Sequence, residues 1–355
     1  MASVRGHRVT RFAARARPRL SAGWVGAVLL LLIATPCFVS LPWSSQYEYY
    51  GADFYPQSEQ LPPRPPSVEE PLGSDGNGRS LMWRCLLGGA ISLTIGIAAA
   101  LLSVVIGVLW GALAGYLGGR VDSTMMRIVD VLYGLPYILL VVLLDLALQP
   151  TFESAANLVF PWSRARQVAD VLTLLIAIGA ASWLTMARVI RGQVLSLREH
   201  QFIEAARAIG AGPGRILARH LLPNLIGPIV VYTTLTVPAA ILQESFLSFL
   251  GIGVQPPLPS WGNLATTGVD QLTTLATGGP DMRWPWALLL DPAELLAQVG
   301  QYLSQAWAAF TAGLARMDWW LLVFPCLLLG LTLMGLNFIG DALRDRFDPK
   351  SAGKQ

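Results

Sequence analysis

Few residues of this chain are of a type that could do bond chemistry, and their spacing narrows what they could do. The only lysines are Lys350 and Lys354, and no G-x-x-x-x-G-K-[ST] run occurs, so a nucleotide-phosphate cradle is not encoded here. His7, His200 and His220 are scattered, as are Cys37, Cys85 and Cys326, and no Cys/His spacing fits a metal site. The cysteines lie in apolar runs, which argues against a disulfide framework. No catalytic residue, no metal ligand and no cofactor is expected. Two carboxylates stand apart: Asp145 and Glu244 lie near the ends of apolar runs. Ionisable groups in such places are functional candidates, and substrate contact competes with a plain reach to the interface. The last candidate is EAARAIGAGPGRILARHLLPN, Glu204 to Asn224. It reads as a basic, polar helix broken by Gly210, Gly212, Pro213 and Gly214, then a short helix over about 214–221 ending at Pro223. The small Ala205 and Ala206 would let another surface approach closely, as in helix-in-groove recognition.

The elements that must hold these residues are set by composition. The 355 residues are 54% hydrophobic and only 13% charged, against roughly 25% charged in soluble domains. Mean hydropathy is +0.51. A bilayer core needs about 20 apolar residues as helix. Six runs qualify, at about 22–42, 88–114, 128–149, 171–190, 224–247 and 319–340. The reading is an all-α membrane protein with six transmembrane helices. Pro136, Pro228, Pro238 and Pro325 fall inside these runs, which membrane helices tolerate. The first run is too long for a cleaved signal segment and no A-x-A site follows, so a retained span is expected.

Charge orients the spans. Arginines crowd the tail 1–21 (Arg5 to Arg19), the segment 191–223 (Arg191, Arg198, Arg207, Arg215, Arg219) and the tail 341–355. They are sparse in the alternate loops, so the positive-inside rule puts both termini in the cytoplasm. The organisation is a basic tail 1–21, a first span 22–42, an outer loop 43–84, and a membrane domain 85–340. Within it lie a cytoplasmic segment 191–223 and a long outer segment. Trp24, Trp43, Trp83, Trp319 and Trp320 sit near the boundaries and read as interface anchors. In the outer segment, Asp291-Pro292-Ala293-Glu294 reads as a capped helix start. A stand-alone transporter would show an internal repeat or mid-span charges, and neither is clear. A membrane protease would need a His-Glu motif or a mid-membrane Ser/His pair, but all three histidines fall outside the spans.

Glu204-Ala205-Ala206, Gly210, His220, Leu222 and Pro223 resemble the EAA motif of ABC importer permeases. His220 stands where an apolar residue is common, but RHLLPN looks like the peptide-transporter branch. PLGSDGNGRSLMWRCLLGGAISL (71–93), GYLGGRVDSTMMRIVDVLYGLPYILL (115–140), ESFLSFLGIGVQPPLPSWGNL (244–264) and FIGDALRDRFDP (338–349) are similar to segments of the oligopeptide/dipeptide/nickel class. Ser80 replaces a usual Asp, Glu70 a common His, and residues 271–317 look inserted. The resemblance implies the second membrane subunit of an importer, in the inner membrane. It would pair with a homologous permease subunit, two ATP-binding subunits, an extracytoplasmic solute-binding protein and membrane lipid, with no nucleic acid. The EAA segment would be the coupling helix, seated in a groove of an ATP-binding subunit. Asp145 and Glu244 would be the candidate translocation-path residues. Peptide, nickel and another small solute remain open as cargo.

Overall fold

The computed structural model describes residues 22–45, 63–277 and 318–347, and Ser304. The helices are α1 (Ala22–Val39), α2 (Leu81–Leu117), α3 (Gly119–Tyr133), α4 (Tyr137–Ala156) and α5 (Trp162–Leu197). They continue as α6 (Gln201–Ala208), α7 (Pro213–Ile216), α8 (Leu222–Phe249), α9 (Trp261–Thr277) and α10 (Trp320–Phe347). Among the described residues there is no β-strand; one isolated bridge joins Ser74 and Ser80. Among the described residues, six helices are long and apolar enough to cross a membrane.

Helix α2 is the hub. Its 37 residues span about 55 Å at ~1.5 Å per residue, more than the roughly 30 Å apolar core. It packs most extensively on α5, then on α8 and α1. Small residues permit this: a Cβ on Gly111 would collide with the Ala187 carbonyl oxygen and lie 3.0 Å from Arg191 N. The opposite face carries Ile97, Leu101, Val105, Leu109, Leu113 and Leu117, all exposed. This i, i+4 stripe has no charge along it, as a helix bordering lipid or another membrane subunit requires.

The structure departs from the sequence reading at the third span. The run 128–149 is not one helix: α3 ends at Tyr133 and α4 starts at Tyr137. Pro136 is the N-cap of α4 and not an interior residue. Proline disfavours αR at Leu135 and withholds an N–H, so the chain turns there. The amphipathic α3 is instead held to α5. Arg191 grips Asp122 with two hydrogen bonds, Nη2 to Oδ2 at 2.7 Å. Arg188 Nη2 bonds Asp130 at 2.7 Å and its guanidinium lies 4.0 Å from the Tyr133 ring centroid.

The Trp positions divide. Trp24, Trp43 and Trp319 are exposed, as interface anchors would be. Trp320 is buried, packs with Leu81, Cys85, Leu264 and Leu321, and donates to the Ser74 carbonyl at 3.4 Å. It is a core residue because the loop before α2 folds over it. Helix α9 runs to Thr277, inside the stretch that looked inserted. The capped helix expected from Asp291 lies outside the described residues.

The turn before α2 is built on Asp75. It accepts the backbone N–H groups of Asn77 and Arg79 and the Arg79 Nε, each at 2.9 Å, and pairs with Arg84. Burial opposes ionisation of Asp75, but the Arg84 and Arg79 guanidinium groups overcome it and hold its carboxyl below the usual range. A depressed folded-state value stabilises the protein in full above the ordinary Asp value, and the gain is lost as pH falls. Asp75→Asn therefore lowers thermal stability at pH 7 by about 1.5–3 kcal/mol. The gap from wild type closes as pH falls below about 4, read by melting both purified proteins across pH.

Candidate functional site

The sequence placed the coupling candidates on one short helix, and the fold determines which of their faces are free. Helix α6 starts after extended His200 and follows α5 by a tight turn. Ile203 and Ala206, three residues apart on one face, are buried. They join a cluster with Val104, Met186, Ile190, Val194, Ile216, Leu221 and Leu225 from α2, α5, α7 and α8. Burying Ile203 contributes roughly 1.5–3 kcal/mol, so α6 is bound to the spans. Of the two small residues, Ala205 faces outward and Ala206 inward. Only the first can let a partner approach; the second is small because the spans lie against it.

The outward face carries Phe202, Glu204, Ala205, Ala208 and Ile209. Ile209 is 86% exposed. Among the described residues the Glu204 carboxylate has no ion pair, and Arg207 does not serve as one. Arg207 lies 5.9 Å from the Tyr116 ring centroid on α2 instead. Gly210 ends the helix with φ +81°. Ala211 N donates to Ala206 O and Gly210 N to Arg207 O, both at 3.0 Å, the pattern of a Schellman stop with glycine in the left-handed position.

Pro223 does not end the next helix, as the sequence reading had it. The chain stays helical from Pro213 to Phe249 by widening to a π turn over Leu217–Leu221. Proline lacks an N–H and its ring crowds the carbonyl four residues back, which the wider turn relieves. Asn224 Nδ2 donates to the His220 carbonyl at 2.6 Å. Leu222 is half-buried and Pro223 exposed.

Glu244 is not at an interface; it is fully buried. Ser248 Oγ donates to its Oε1 at 2.8 Å and Ser245 Oγ to its Oε2 at 3.2 Å, and the Ser92 and Ser260 hydroxyls complete the cage. The cage is anchored in turn: Val254 N donates to Ser248 Oγ, Trp261 N to Ser92 Oγ and Asn263 N to Ser260 Oγ. Glu244 thus ties α2, α8 and the turn before α9 together. Glu244→Leu leaves the Ser245 and Ser248 hydroxyl groups without their acceptor and lowers stability by about 3 kcal/mol, whereas Glu244→Gln retains an acceptor and costs less. Melting of the detergent-solubilised variants measures the difference.

Asp145 is half-buried. Beside it, Gln149 Nε2 donates to Asp170 at 3.1 Å. Neither Asp145 nor Glu244 borders the cavity of about 520 Å³ that opens between the α3–α4 break, α5 and α8. Its polar lining comes from Tyr133, Tyr137, Ser182, Thr185, Tyr232, Thr236 and Gln243. Sequence reasoning passed over these uncharged residues. The available signal was Gln243, an amide beside Glu244 toward the end of an apolar run.

Comparison with known proteins agrees with this geometry. Residues 107–353 match the family described as binding-protein-dependent transport system inner membrane component. The chain is 38% identical over 286 residues to the dipeptide transport system permease protein DppC of Bacillus subtilis, covering 81% of this chain and 70% of that protein. It is 38% identical over 327 residues to the oligopeptide transport system permease protein OppC of Escherichia coli K12, covering 91% and 86%. Against the OppC of Bacillus subtilis it is 35% identical over 326 residues, covering 92% and 85%. With six membrane-length helices and the EAA segment on the loop between α5 and α8, the chain belongs to the binding-protein-dependent transport system inner membrane component family.

Proposed function

We propose that this chain is a membrane subunit of an ATP-driven peptide importer and that α6 couples it to an ATP-binding subunit. One observation carries the coupling: α6 is packed on the spans by Ile203 and Ala206 while its other face holds an unpaired carboxylate, Glu204, beside exposed Phe202 and Ile209. A helix so placed passes a push from a partner directly to α2, α5 and α8. The relatives are named for dipeptides and oligopeptides, which favours peptide over nickel. Both termini lie in the cytoplasm in this reading, because the α6 face must meet a cytoplasmic motor and the basic segments lie on the same side. A homologous second permease subunit, two ATP-binding subunits and an extracytoplasmic binding protein complete the machine, and hydrolysis takes place outside this chain.

The test is disulfide cross-linking from Ala205→Cys or Ala208→Cys, both on the outward face, in a background where the exposed Cys326 is serine. The chain is co-expressed with candidate ATP-binding subunits. A specific cross-link whose yield changes with ATP is expected. No cross-link to any ATP-binding subunit, with the chain inserted and folded, would overturn the coupling.

A further inference from the structure

The cavity between the α3–α4 break, α5 and α8 has a polar centre whose hydrogen-bond direction is determined. Tyr137 Oη donates to Gln243 Oε1 at 2.6 Å, which uses the only phenolic proton. The 3.2 Å contact between Tyr137 Oη and Ser182 Oγ must then have serine as donor. The chain runs Ser182 to Tyr137 to Gln243 and stops at the Gln243 amide, whose Nε2 has no hydrogen-bond partner among the described residues. Two N–H donors are left for whatever occupies the cavity. Lipid tails offer no acceptor, and a bare amide at this depth is costly.

The lining supplies a second observation. Its fourteen residues include hydroxyl groups and one carboxamide but no Asp, Glu, Lys, Arg or His. The Arg188 charge is spent elsewhere, on Asp130 and over the Tyr133 ring, and Asp145 does not border the cavity. A solute in this cavity meets donors but no counter-ion for a charged side chain. The one acceptor that peptides of any sequence present repeatedly is the carbonyl oxygen.

We propose that Tyr137, Ser182 and Gln243 form a contact station in the path, at which the Gln243 amide donates to a carbonyl oxygen of the passing peptide, from a main-chain amide or the terminal carboxylate. Tyr137 and Ser182 are positioning residues that hold Gln243 by its oxygen and so turn its nitrogen to the cavity. The station rests on the peptide-import reading above. It makes the path indifferent to side-chain charge and leaves sequence preference to other components.

The experiment uses the whole importer, with its partner permease, ATP-binding subunits and binding protein, in proteoliposomes. The probes are radiolabelled tri-alanine, Ala-Glu-Ala, Ala-Lys-Ala and tri-alanine with a C-terminal amide. Gln243→Leu is expected to lower uptake of the first three by one common factor, about tenfold, with assembly and basal ATP hydrolysis unchanged. Tyr137→Phe frees the amide to rotate and lowers uptake severalfold, again equally. Gln243→Glu, which offers a negative acceptor, disfavours Ala-Glu-Ala relative to Ala-Lys-Ala. A loss shared by the C-terminal amide assigns the main-chain carbonyls; a loss confined to free acids assigns the terminal carboxylate. Uptake by Gln243→Leu within twofold of wild type, or a loss for only one charged peptide, would overturn the station. So would a fall in assembly that accounts for all of the lost uptake. Failure of the wild-type importer to take up any tripeptide would sink the peptide reading itself, a result separable from these.

Discussion

Gly111→Ala removes most of the folded protein from the membrane. The α2–α5 contact is the most extensive in the structure, and Gly111 sits where the two backbones meet. An added methyl group collides with the Ala187 carbonyl oxygen and lies 3.0 Å from both Arg191 N and Ile190 Cβ. Overpacking typically costs 1–3 kcal/mol where side chains can swing aside. Here two of the three colliding atoms are helix backbone, so the helices themselves must separate. Separation also pulls Arg191 from Asp122, the bidentate pair that fixes α3 against α5. A cost above about 3 kcal/mol is a large fraction of a marginal stability. The control is Gly330→Ala in α10, where the same methyl meets nothing within 4 Å. Size-exclusion profiles of fluorescent fusions in mild detergent should show the Gly111 peak reduced to about a tenth of the control's. Equal peaks would mean that α2 and α5 do not approach so closely.

What was legible in the sequence follows from which forces act locally. The spans were legible because lipid demands about 20 apolar residues wherever the chain crosses. The loop 191–223 was legible because glycines and arginines interrupt an apolar chain there. The break at residues 134–136 was not, since Gly134-Leu135-Pro136 sits in an apolar run and proline alone does not end a membrane helix. The polar lining of the cavity was overlooked for a related reason. Glu244 carries a charge and drew attention, yet it points into a serine cage, while its neighbour Gln243 lines the cavity. Successive residues point about 100° apart on a helix, and the rotation of α8 is set by packing against α2, not by α8 itself. The roles of Ala205 and Ala206 separate by the same rule.

Ala206→Phe abolishes transport while leaving the chain inserted. Ala206 is 4% exposed and lies in the cluster with Val194, Ile216 and Leu225. A benzyl group cannot fit there, so α6 must lift from the spans or rotate. The helix is short, held by Ile203 and Ala206 on its inner face and by the Gly210 stop at its end, and the α2–α5 contact continues beyond the cluster it joins, through Ala99, Ala100, Ala177 and Ile178, so the membrane domain stays folded. Overpacking of about 1–3 kcal/mol falls on this attachment alone, and the coupled state is depopulated by roughly 5- to 150-fold. The outer face remains available, so ATP-binding subunits still associate, and their hydrolysis no longer responds to cargo. Ala205→Phe, one position away but facing outward, does the reverse: it blocks seating of the partner and releases the ATP-binding subunits while the membrane domain keeps its stability. Co-purification of the subunits, cargo-stimulated ATP hydrolysis and uptake, measured on both variants, separate the two faces. Identical losses in all three measurements for both variants would show that α6 does not have one face for the spans and another for the motor.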